Sequence, residues 1–79
     1  MAIFTQRPRT SPEAVLNLAR VYFGRLGLGM AQAQPDQLCF QDRHGYVHVS
    51  AKLRGRRTRL TVDSCGWEYW ARCFLNHTD

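Results

Sequence analysis

From Gly29 to Asp63 apolar and polar residues alternate with a period of two, and turn residues interrupt the alternation at short intervals. Such a stretch folds as strands joined by tight turns, which forces neighbouring strands to run antiparallel. Met30 to Gln34 and Gln37 to Gln41 flank Pro35-Asp36, where proline presets φ and aspartate can bond its own backbone. Asp42-Arg43-His44-Gly45 is the next turn. Tyr46 to Arg54 is a long strand, Gly55-Arg56 a two-residue hairpin loop with glycine first, and Arg57 to Asp63 the return strand.

Helical signals flank this meander. Ser11-Pro12-Glu13 combines a capping hydroxyl, proline at the first helical position and an acid in the first turn. Val15, Leu18, Ala19, Tyr22 and Leu26 then form one apolar stripe, which Gly24, Gly27 and Gly29 bring to an end. After the strands, Ser64 is placed to cap a last helix whose stripe is Trp67, Trp70, Ala71 and Phe74. Residues 1–10 show little periodicity and read as a loose N-terminal tail, with a single α+β domain over 11–79. The expected architecture is a two-layer sandwich, α-β-β-β-β-α. Both helices cover one face of a four-stranded antiparallel meander, on the side of Phe40, Val47, Val49, Leu60 and Val62.

The turn lengths also set the pairing. The loop at Gly55-Arg56 puts Arg54 opposite Arg57, Lys52 opposite Arg59, Ser50 opposite Thr61 and His48 opposite Asp63. The turn at 42–45 puts Tyr46 opposite Gln41 and His48 opposite Cys39. The uncovered face is then expected to carry Met30, Cys39, Tyr46, His48 and Asp63 among glutamines, with the cations at one end.

The chain has 79 residues and a net charge of +5, and the excess is local. Lys52, Arg54, Arg56, Arg57 and Arg59 account for it, because the remaining basic and acidic residues balance. Like charges directly opposite each other on a sheet are destabilising unless an anion or solvent screens them. The five residues are therefore the expected contact for phosphate on a nucleic acid or another polyanion. The open sheet face is expected first to serve self-association as a homodimer or the binding of another partner, since small domains gain stability by pairing, and phosphate binding through hairpin 52–59 is the alternative.

A domain this small has little chain left to line a deep active site. The row Cys39, His48, Asp63 has the order of thiol, base and orienter, but a shallow sheet face offers no oxyanion hole and excludes no water. No catalytic residue, cofactor or metal is expected. Cys73 and His77 are spaced for one helix face, but no second ligand pair accompanies them. Three cysteines in no CxxC spacing point to reduced thiols, and with no apolar leader or membrane-length run the expected location is cytoplasmic, away from membranes. The reading is a small non-enzymatic binding or assembly module.

Overall fold

A computed structural model describes residues 2–78. Met1 and Asp79, which bound the expected tail and domain, lie outside the described residues. The elements are β1 (Ala2–Gln6), α1 (Pro12–Arg25), β2 (Gly29–Gln34), β3 (Gln37–Asp42), β4 (Gly45–Arg54), β5 (Arg57–Cys65) and α2 (Glu68–Leu75). The strands form one antiparallel sheet in the order β1-β5-β4-β3-β2, with the helices against one face.

The sheet thus has five strands rather than four, because residues 2–6 of the expected tail pair along β5 from Ala2↔Ser64 to Gln6↔Leu60. Phe4 turns toward the core side opposite Val62, and Ile3 and Thr5 share the open face with Asp63 and Thr61. The following segment is also tied down. Pro8 is fully buried, the Thr10 hydroxyl donates to the Thr78 carbonyl at 3.2 Å, and Thr58 donates its hydroxyl to the Thr10 carbonyl. Thr78 in turn donates to Gln6 Oε1 at 3.2 Å, so both ends of the chain close over one edge of the sheet. Extending β5 to meet β1 places Ser64 within a strand, and the helix cap it was expected to make is not formed.

α1 begins as its residues dictate. The Ser11 hydroxyl accepts from the Ala14 amide at 3.3 Å, and Pro12 occupies the first turn. The buried stripe is Val15, Leu16, Ala19 and Phe23, while Leu18 and Val21 are exposed and Tyr22 and Leu26 pack at the flank. The helix carries two adjacent apolar stripes, and the sheet takes the one bearing Phe23. That ring meets Phe40 at 5.4 Å and Phe74 at 5.2 Å between centroids, within the range of favourable aromatic pairs.

α2 is rotated in the same way. Ala71, Phe74 and Leu75 are buried, whereas Trp70, expected in the core, is 40% exposed. Trp67 stands at the N-cap, half-buried, and directs its indole nitrogen to Asp42. The turn before β4 and the start of α2 approach closely at Gly45 and Gly66. A Cβ at Gly45 would collide with the Cys65 carbonyl, and one at Gly66 with that of His44; Gly66 also has φ +83°.

Candidate functional site

The basic hairpin forms where Gly55, at φ +64°, supplies the positive φ that begins a two-residue turn. The register follows, with Arg54↔Arg57, Lys52↔Arg59 and Ser50↔Thr61 on the open face. Between β4 and β5 on that face lies a shallow groove of about 160 Å³, lined by Ser50, Lys52, Arg54, Arg59 and Thr61. Three of the five expected cations therefore converge with two hydroxyls, and the hydroxyls come from the next cross-strand row in the sequence pattern.

Arg57 instead donates from Nη1 to the Arg7 carbonyl at 3.3 Å, and Arg56 sits at the exposed loop tip outside the groove. That contact brings the segment after β1, with exposed Arg7 and Arg9, to the same end of the molecule. These two arginines are additions that the reading of a loose tail could not supply. Among the described residues one carboxylate answers the patch: Asp36 Oδ2 lies 3.7 Å from Lys52 Nζ, with both side chains about half exposed. Such an exposed pair contributes about 0–1 kcal/mol, so it does not close the groove. Among the described residues, Arg54 and Arg59 have no ion-pair partner.

The rest of the open face is polar. Cys39, His48 and Asp63 lie in one cross-strand row, with Tyr46 opposite Gln41 and Cys65. His48 Nε2 is 2.8 Å from Gln37 Oε1 and makes no hydrogen bond to Cys39 or Asp63 among the described residues. The thiol, base and orienter are therefore aligned in register but not joined. Asp63 Oδ1 is buried without a hydrogen-bond partner. Partial desolvation, and then the charges of Asp63, Cys65, Cys39 and Glu68, hold the Tyr46 phenol above its usual range.

Met30 does not join this face. A bulge between Met30 and Gln32 shifts the register by one residue, so Met30 stands opposite Phe40 on the helix side, while Gln32 and Gln34 stay opposite Cys39 and Gln37. One inserted residue reverses a side chain's face because the strand period is two.

A second concavity lies on the helix layer, a groove of about 540 Å³ lined by Leu18, Val21, Tyr22, Arg25, Leu26, Phe74 and His77. Among the described residues no group of three or more His, Cys, Asp or Glu side chains is placed to hold a metal ion, and the three cysteines are free. No described helix is long and apolar enough to cross a membrane. Comparison with family models, with curated proteins and with solved structures finds no match for this chain.

Proposed function

We propose that the protein is a small non-enzymatic binding module that takes a phosphate-bearing chain, nucleic acid foremost, on the hairpin end of its open sheet face. The observation that carries this reading is the groove between β4 and β5, where Lys52, Arg54 and Arg59 converge with the Ser50 and Thr61 hydroxyls. Arginine's planar fork suits phosphate oxygens, hydroxyls add donors, and an anion placed there relieves the like-charge rows. At about 160 Å³ the groove is smaller than the ~300–1,000 Å³ of small-molecule pockets, which favours a single anionic group on a longer chain over an engulfed metabolite. The same cations oppose stacking two copies face to face, because that would set like charges against each other. Three free thiols fit a reducing compartment, and the cytoplasm is part of this reading.

Titration of a labelled single-stranded oligonucleotide at rising salt tests the proposal. With three or four phosphates neutralised, the logarithm of the affinity should fall against the logarithm of salt with a slope of roughly 2–3. Arg54→Ala with Arg59→Ala should weaken binding for every sequence by a similar factor and flatten that slope, because phosphate contacts carry no base information. A slope near zero, or binding unchanged by the double substitution, rejects the reading.

A further inference from the structure

We infer that the chain forms a two-fold dimer by pairing the free edge of β2 with the same edge of a second copy, which extends the sheet across the interface. A sheet edge offers unpaired N–H and C=O groups, and proteins that stay monomeric blunt such edges with charge, proline or a covering element. Here the run 26–35 has no ionisable side chain, although the chain as a whole carries +5. All six residues of β2, Gly29–Gln34, are exposed. The helices pack chiefly over β1, β3, β4 and β5.

Charge selects both the edge and the occupant. Two copies of a +5 chain repel, so the surface on which they can meet at least electrostatic cost is one free of charge. The open face carries Lys52, Arg54, Arg57 and Arg59, and the helix-layer groove has Arg25 in its lining. β2 offers alanine and glutamine, which are self-complementary across a two-fold axis. The bulge lies near its start and leaves Gln32, Ala33 and Gln34 in regular register. β1 is also uncharged, but α2 and the segment after it close over its core side, where Arg72 lies 5.8 Å from the Phe4 ring centroid. Antiparallel β2–β2 pairing is isologous and ends at two copies, whereas β1–β2 pairing would continue into filaments. The inferred dimer keeps both basic grooves on one side of the extended sheet. It does not rest on the anion-binding reading.

Sedimentation velocity on the full chain, from micromolar to near-millimolar concentration at low and high salt, tests the inference. A dimer should appear as concentration rises, and added salt should strengthen it by screening the two net charges, the opposite sense to oligonucleotide binding. Gln32→Lys with Gln34→Lys should weaken dimerisation by about tenfold or more, and at the low concentrations where the unmodified chain is monomeric it should leave the melting curve unchanged, since neither side chain is buried. If that variant folds poorly, hydrogen exchange on the unmodified chain replaces it: the β2 amides should gain protection with concentration. A monomer at every concentration overturns the inference, as does β2 exchange that ignores concentration. Assemblies growing beyond two copies also overturn it, as does a dimer abolished by Leu18→Asp but indifferent to the β2 lysines. Oligonucleotide binding by a strict monomer would defeat the dimer alone.

Discussion

The indole nitrogen of Trp67 lies 3.0 Å from Oδ1 of Asp42, across 25 residues of sequence. The same oxygen accepts from the His44 amide at 2.8 Å and the Gly45 amide at 3.2 Å. One carboxylate therefore shapes the turn before β4 and anchors the start of α2, which has no capping side chain of its own at Trp67. Trp67→Phe keeps an aromatic six-membered ring but removes the pyrrole half with its N–H donor, so it should lower the melting temperature. Asp42→Ala, which frees two amides as well, should lower it further. Equal melting of all three proteins by circular dichroism would deny the anchor.

The Asp42 carboxyl is also a pH handle. Desolvation pushes its pKa upward, but the Trp67 indole, the His44 and Gly45 amides and the His44 charge outweigh that and hold it below the ordinary 3.8. Glu68, bonded by its own amide and that of Gly66, is lowered too. A depressed carboxylate contributes stability that is fully present above its unfolded pKa and is lost as pH falls through the folded value. Thermal stability should therefore be level near neutrality and decline from about pH 4 downward. Asp42→Asn should soften the decline in a pH series of melting curves.

The two aromatic positions of α2 should respond very differently to truncation. Phe74→Ala removes a fully buried ring that meets Phe23 and should cost about 3–5 kcal/mol in urea unfolding. Trp70→Ala, at a side chain 40% exposed, should cost roughly 1 kcal/mol or less. Equal losses at the two positions would contradict the rotation of α2.

β1 belongs to the cooperative fold through its pairing with β5. Phe4→Ala should cost about 1–3 kcal/mol, at the low end for an aromatic because Phe4 is only half-buried. A chain starting at Arg7 should unfold at lower urea and expose the β5 edge. An unchanged midpoint in both would return residues 2–6 to a tail.

Arg54→Ala with Arg57→Ala should leave stability unchanged or raise it slightly, by about 0.2–1 kcal/mol, since it removes one directly opposed like-charge row. The contact from Arg57 to the Arg7 carbonyl is exposed and should offset little of that gain. Urea midpoints at low salt, where the repulsion is least screened, provide the comparison.

What the sequence by itself determined was local. The two-residue loop at Gly55-Arg56 and the short turn at 42–45 set the register, so every expected pair from Gln41↔Tyr46 to Arg54↔Arg57 appears in the sheet. Ser11, Pro12 and Glu13 likewise start α1 through bonds and dihedrals made within one turn. The gathering of Lys52, Arg54 and Arg59 on one face was legible for the same reason, because alternation along a strand is fixed by the backbone. Tertiary structure decided what depended on distant partners. Ile3 finds Asp63 at the far end of the chain, and no turn signal records that pairing. Phe23 rather than Tyr22 enters the core, and Trp70 stays outside it while the expected Ala71 and Phe74 are buried, because each helix offers neighbouring apolar stripes and packing against Phe40 and the β4–β5 valines selects between them. The one-residue insertion before Gln32 turned Met30 away from the open face, since a period of two gives an extra residue the power to reverse a side chain. Local chemistry acts over one turn, whereas burial sums contacts from the whole chain, and only the folded core can weigh them.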